Sequence, residues 1–177
     1  MAEPPGDPLL AGLAAGREEA FASLYTREGG GLLRVAFALL GSRADAEDAV
    51  QEVFVGLAQA RASWASLENL RAYLFTALRH AAAKTAARRR ANRHEPLPDA
   101  LAAPQSGGLA AGPAARLERA LAALPADRRE IVALKIDAGL TFREIAAVLG
   151  ISPNTAASRY RYALTELRDA LGESADE

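Results

Sequence analysis

The run from Thr141 to Leu171 constrains this chain more than any other stretch. Thr141-Phe142-Arg143-Glu144 has the spacing of a capping box. In that motif the threonine hydroxyl accepts from the backbone N–H three residues on, and the glutamate reaches back to the N-cap N–H. Ile145, Ala146, Val148 and Leu149 continue an apolar stripe, and Gly150 supplies a turn. Ser152 then opens a second helix with Pro153 in its first turn, running to about Leu171; a serine satisfies an orphan N–H there, and a proline has none to lose. A capped helix, a glycine-centred turn and a second capped helix predict a helix-turn-helix.

At about 100° per residue, Ala156, Ala157, Tyr160, Ala163, Leu164, Leu167 and Leu171 share one face of the last helix, which is expected to be buried. Asn154, Thr155, Ser158, Arg159, Arg161 and Tyr162 lie opposite or flank it. The second helix of such a motif enters the major groove with its N-terminal residues toward the bases. Asn154, Thr155, Ser158 and Arg159 are therefore the expected readers, with Arg161, and Arg143 on the preceding helix, set for phosphates. An ordinary solvated face is the plain alternative; the two caps and the central glycine favour the DNA-binding motif.

Alanine and leucine supply much of the hydrophobic half of these 177 residues, and β-branched and aromatic residues are sparse. That balance predicts an all-α protein. From His94 to Pro113 the helical period is broken by Pro96, Pro98, Pro104, Gly107, Gly108, Gly112 and Pro113. So long a break is unusual inside one compact domain. The expected organisation is two helical domains, 1–93 and 114–172, joined by a flexible linker, 94–113, with a short tail, 173–177. In the second domain a helix over Leu117–Leu124 precedes one that starts at Pro125–Asp127, runs through Ile131, Val132 and Leu134, and stops at Gly139. In the first, Asp7 caps a helix with Pro8 at its start and an apolar stripe through Leu9, Leu10, Leu13, Ala20, Phe21 and Leu24. Gly29 to Gly31 end or bend it, and a second helix, Leu32–Leu40, closes at Gly41. A third is expected over about Asp45–Ala62, and a fourth from Leu70 with Leu70, Tyr73, Leu74, Ala77, Leu78 and Ala81 buried.

Formal net charge is −1, which argues against wholesale coating of nucleic acid, but the distribution is uneven. From Asn69 to His94 there is no acidic residue, against Arg71, Arg79, Lys84, Arg88, Arg89, Arg90 and Arg93. Segregation of this kind is the footprint of an anionic partner. Phe75 and Arg79 share the outward face of the fourth helix and Trp64 lies in the loop before it; aromatics beside cations suit stacking on unpaired bases. Trp64 and Tyr73 could equally be core residues, and for Tyr73 burial is at least as good a reading as base contact. On the third helix Asp48, Gln51, Glu52 and Val55 fall at i, i+3, i+4 and i+7, a mainly acidic stripe with an exposed aliphatic residue. A solvated face explains it without context; a basic helical protein partner is the sharper reading.

Catalysis finds little support. The chain has no cysteine, and His80 and His94 lack companions at ligand spacing. No glycine loop cradles phosphate, and neither a metal nor a cofactor is called for. Met1 to Gly16 lacks the pattern of a secretory signal, and no apolar run spans a bilayer, so a cytoplasmic protein without membrane insertion is expected.

Taken in order, several pieces resemble the extracytoplasmic-function class of bacterial sigma factors, and the resemblance covers nearly the whole chain. They are Gly16-Arg17-Glu18-Glu19-Ala20-Phe21 with Leu24-Tyr25, Asp45-Ala46-Glu47-Asp48-Ala49-Val50-Gln51-Glu52-Val53-Phe54, and Leu70-Arg71-Ala72-Tyr73-Leu74. In the second domain they are Leu124-Pro125-Ala126-Asp127-Arg128-Arg129-Glu130, Glu144-Ile145-Ala146 and Thr155-Ala156-Ala157-Ser158-Arg159. The resemblance implies that Asp48, Gln51 and Glu52, with Asp45 and Val55 beside them, dock on core RNA polymerase. It also implies that the loop Ala62 to Asn69 and the fourth helix capture the melted minus-ten element, through Trp64, Asn69, Tyr73, Phe75, Arg79, His80, Lys84 and Arg88. Arg143, Asn154, Thr155, Ser158, Arg159, Arg161 and Tyr162 would read the minus-thirty-five element as duplex. An anti-sigma factor is a partner expected from the resemblance alone. Tyr73, His80 and Lys84 stand where the class often has Trp, Asn and Asp, and Ala157 and Tyr162 where basic residues are common. The competing functions are a stand-alone helix-turn-helix regulator and a helical adaptor that binds protein only.

Overall fold

Caps and left-handed glycines set the helix boundaries. The computed structural model describes residues 8–60, 67, 69–92 and 112–172. It contains α1 (Pro8–Ala14), α2 (Glu18–Leu40), α3 (Arg43–Gln59), α4 (Leu70–Asn92), α5 (Pro113–Ala123), α6 (Ala126–Ile136), α7 (Phe142–Leu149) and α8 (Pro153–Gly172), with no strand among the described residues. The expected cap at Asp7, the loop tryptophan Trp64, His94 and most of the linker lie outside these residues.

The first domain departs from its expected punctuation. The stripe from Leu9 to Leu24 is divided between two helices by Gly16, whose φ of 68° turns the chain. α1 then folds back so closely on α2 that a Cβ at Gly12 would lie 2.7 Å from that of Ala20. Gly29 to Gly31, by contrast, do not end a helix: α2 runs through all three and closes at Gly41. Each costs α2 up to about 1 kcal/mol relative to alanine, and burial of Leu24, Leu32, Val35 and Ala36 offsets this. α3 begins earlier than expected, with the Ser42 hydroxyl accepting from the Asp45 N–H, and stops at Gln59 rather than Ala62.

In the second domain Pro113 opens α5, so the helix starts four residues before Leu117. α6 to α8 follow the expected pattern. The Thr141 capping box is complete, Gly150 turns with φ 65°, and Ser152 caps α8. Tilted contact between the Phe142 and Tyr160 rings, 5.7 Å apart, fixes α7 against α8. Arg128 pairs with Glu166 across α6 and α8, and Arg116 donates to the Leu171 carbonyl at the end of α8. Ala156, Ala163 and Leu167 are buried as expected; Leu164 is exposed, because α5 covers the neighbouring side of α8 around Ala163 and Leu167 instead.

The main core is continuous across both domains. Leu32, Val35, Val50, Val53, Leu74 and Leu78 belong to the same cluster as Ile131, Leu134, Leu140, Ile145 and Val148. α6 lies on α2, and α7 lies on α4. At about 1.5–3 kcal/mol for each large aliphatic side chain fully buried, this shared core is a main source of cohesion between the two domains. A second, smaller cluster of Ala120, Leu124, Val132, Ala163 and Leu167 lies beneath α5 and α8.

Candidate nucleic-acid interface

α8 presents the expected polar ridge. The Ser152 hydroxyl accepts from the Thr155 N–H at 3.0 Å and lies 2.8 Å from the Thr155 hydroxyl, so Thr155 serves the cap as well as the surface. Asn154, Ser158, Arg161 and Tyr162 follow at helical spacing along one side. Asn154, Arg161 and Tyr162 are exposed, Tyr162 by 66%, while Thr155, Ser158 and Arg159 are half-buried. Arg161 donates to the Ser158 hydroxyl at 3.4 Å. Arg143 is exposed on α7. Hydrogen-bonding groups and a guanidinium on a rigid, capped helix can read base edges, and flanking cations can meet phosphates.

On α4 the structure divides the expected set. Asn69 caps the helix, its side-chain oxygen accepting from the Ala72 N–H at 2.9 Å. Tyr73, assigned to the buried face, is exposed at the rim, and with His80, Lys84 and Arg88 it lines one open side. Phe75, placed outward by the helical period, is fully buried because the second domain covers the side of α4 that it occupies. Arg79 is held on that same side. Its guanidinium engages both carboxylate oxygens of Glu130, at 2.5 and 3.5 Å, and donates to the Val148 carbonyl at 3.2 Å.

The acidic stripe of α3 stands clear of this seam. Asp48, Gln51 and Val55 are exposed, Val55 by 56%. Glu52 pairs with Lys84 at 2.6 Å, joining the stripe to the open side of α4. Asp45 is committed elsewhere, paired with Arg89 at 2.9 Å, and Arg89 also donates to the Leu40 carbonyl. Beside Val55, Phe54 packs against Tyr25 at 5.2 Å, and Tyr25 is itself exposed, extending the apolar part of this surface onto α2. Sequence spacing within α3 alone gave no sign of Tyr25.

Also unmarked by the sequence is a set of arginines that bridges the domains. Arg34 on α2 donates to the Asp137 carbonyl at 2.8 Å and lies 3.6 Å from its carboxylate. Arg71 on α4 pairs with the buried Glu28 at 3.1 Å and donates to the Ala138 carbonyl. Burial pushes the Asp137 carboxyl above its ordinary range, partly countered by Arg34. For Glu144 burial also acts upward, but it is outweighed by hydrogen bonds from Thr141, the charge of Arg71 and the Asn69 side chain, so the carboxyl sits below its ordinary range. The seam also brings backbone of the second domain close to α2: a Cβ at Gly31 would lie 3.4 Å from the Asp137 carbonyl oxygen.

Among the described residues no group of three His, Asp or Glu side chains is arranged to hold a metal ion, and no helix is long and apolar enough to cross a membrane. The model of sigma-70 region 2 matches residues 24–93, and that of sigma-70 region 4 matches residues 114–167. The RNA polymerase sigma factor CarQ of Myxococcus xanthus is 30% identical over 165 residues, covering 89% of this chain and 92% of that protein. The fold is similar to CnrH, solved in complex with the cytosolic domain of CnrY, with a TM-score of 0.67 and 26% identity over 96% of this chain and 97% of that one. It is also similar to the sigma factor RpoE of Bartonella quintana, solved with the anti-sigma factor NepR, with a TM-score of 0.65 and 27% identity over 88% and 98% of the two chains. Two region models in the right order, a relative matched along almost its full length and a shared two-domain helical fold lead to one conclusion: this chain belongs to the extracytoplasmic-function class of RNA polymerase sigma factors, initiation proteins, not a class of enzymes, that bind core polymerase and direct it to promoter DNA.

Proposed function

We propose that promoter-directed initiation is divided among three surfaces of this chain, on α3, α4 and α8. Asp48, Gln51, Glu52 and Val55, extended by Tyr25, dock on core polymerase, with Asp45 holding α4 through Arg89. The open side of α4, with Tyr73, His80, Lys84 and Arg88, takes unpaired minus-ten bases, and Phe75 and Arg79 join it once the second domain withdraws. Asn69 orients the start of that helix, and Trp64 in the preceding loop is the expected stacking partner. Asn154, Thr155, Ser158 and Arg159 read the minus-thirty-five duplex, with Arg143, Arg161 and Tyr162 toward its backbone. On this reading residues 1–93 and 114–172 are the two working domains, 94–113 the linker and 173–177 a tail. Binding energy, with no catalysis by this chain, drives opening of the promoter in the cytoplasm. An anti-sigma factor is a further expected partner, as one is for RpoE of Bartonella quintana.

The observation that carries this division is the simultaneous exposure of an acidic-aliphatic stripe on α3 and a polar, cation-bearing ridge on the capped α8. Those are the chemistries needed for a basic protein partner and for duplex DNA. The test is transcription in vitro by purified core polymerase on a fragmented genomic library, with and without the protein. Chain-dependent starts sharing spaced upstream motifs are expected. Arg159→Ala should weaken them by relaxing the upstream motif, and Asp48→Ala with Gln51→Ala by loss of core binding. A chain that bound a discrete duplex tightly, yet neither bound core nor produced new starts, would instead be a stand-alone regulator.

A further inference from the structure

Two of the proposed binding surfaces meet in one ion pair. Glu52, in the acidic stripe of α3, accepts from the Lys84 ammonium of α4 at 2.6 Å. Lys84 is the middle member of a column on the open side of α4, formed with His80 and Arg88 one helical turn to either side, and all three are exposed. Other cations of this helix are held by carboxylates away from that column: Arg71 by Glu28, Arg79 by Glu130 and Arg89 by Asp45. None of those carboxylates belongs to the exposed stripe of Asp48, Gln51, Glu52 and Val55. The Lys84 side chain is 67% exposed and that of Glu52 43%, so either can exchange its partner for one from solution without unpacking the core.

An exposed pair of this kind is weak, yet it withholds one charge from each surface. We infer that Glu52 and Lys84 are contested between each other and the ligands of the two surfaces, and so couple them. A basic protein group that takes Glu52 leaves Lys84 free for a phosphate. A phosphate that takes Lys84 leaves Glu52 free for the protein partner, so the coupling is reciprocal, as linkage requires. The inference rests on the reading of α3 as the polymerase-docking surface and of α4 as the DNA-facing one. It goes beyond that reading in naming the two side chains through which one binding event favours the other. The pair is a property of this chain: an aspartate in place of Lys84, as the class often has, would repel Glu52.

A pair that only fastened α3 to α4 would act in the other direction. The two helices already share Val50, Val53, Leu74 and Leu78 in the core. Were fastening the role of the pair, removing either partner would loosen both surfaces and weaken both ligands. Contest predicts the reverse sign for the opposite ligand: removing Glu52 strengthens binding of nucleic acid, and removing Lys84 strengthens binding of polymerase. Both charges are exposed, so each effect should fade as ionic strength rises and the pair is screened.

The test is a double-mutant cycle on the full chain, read with two ligands. Affinity for a fluorescein-labelled, mixed-sequence single-stranded DNA should rise roughly twofold to fivefold in Glu52→Gln. That gain should vanish when Lys84→Gln is also present. Affinity for purified core polymerase should rise by a similar factor in Lys84→Gln, and this gain should vanish when Glu52→Gln is added. A gain from Glu52→Gln that persists without Lys84 would be a general charge effect and would overturn the contest. Single variants that match the unmodified chain would overturn it as well, and so would variants that lose affinity for both ligands, the mark of a fastening role. Failure of the unmodified chain to bind core would sink the reading of α3 itself, while the DNA arm would still decide whether Glu52 withholds Lys84.

Discussion

Phe75 illustrates how one side chain can be correctly placed on a helix face and still misread in context. The face is the expected one, but in this structure it is covered, so the ring contributes packing. Phe75→Ala should destabilise the protein by about 3–5 kcal/mol, the range for a large aromatic truncated in a core, measured by urea denaturation. Ser152→Ala removes the acceptor of the Thr155 N–H and should cost about 1 kcal/mol in the same assay. Glu144 gives a pH signature. Its folded-state pKa is depressed, so its stabilisation is complete above the ordinary carboxylate value of about 4.3 and is lost as pH falls through the folded value. Asp137, raised by burial, works in the opposite sense, since protonation relieves its buried charge. Glu144→Gln keeps the capping geometry and should make the acid limb of the stability curve shallower, as read by thermal melts across pH.

At the scale of elements, glycine and cap chemistry explain both what was legible and what was not. α7 and α8 were predictable because Thr141, Glu144, Gly150 and Ser152 encode their ends within a few residues of each other. α2 was not, because the glycine triplet that reads as a stop is overruled by packing on both sides of it. Gly56 is exposed on α3, and an added Cβ there would meet nothing within 4 Å. Gly56→Ala should therefore stabilise the protein by roughly 0.5–1 kcal/mol, visible as a raised denaturation midpoint. On α8, Arg161 is exposed and set toward a duplex backbone. Arg161→Ala should weaken promoter binding across sequences and lower the slope of log affinity against log salt by about one.

For the whole molecule, the decisive feature is a seam that combines a shared apolar core with ion pairs. The apolar part is insensitive to salt, whereas Arg34 with Asp137 is a partly exposed pair that ions can screen. Arg79 with Glu130 is more enclosed and should persist longer. Scattering from the free chain should therefore give a radius of gyration near the roughly 16 Å expected of a compact chain of this length. Raising ionic strength toward 1 M, where the Debye length falls to about 3 Å, should increase it in Glu130→Gln before it does so in the unmodified chain. An identical response of the two proteins would show that Glu130 does not hold the seam.

The sequence by itself determined the all-α class, the division around the proline- and glycine-rich stretch, the helix-turn-helix and the exposed faces of α3 and α8. Each of these rests on periodicity, caps or turn residues, which act over a few positions. Tertiary structure alone decided that Gly29 to Gly31 lie within a helix, that Asp45 is paired with Arg89, and that Phe75 and Arg79 lie under the second domain. Those outcomes join residues as far apart in sequence as Arg34 and Asp137. They depend on the shape and charge of surfaces that exist only once both domains have folded, and no local pattern encodes them.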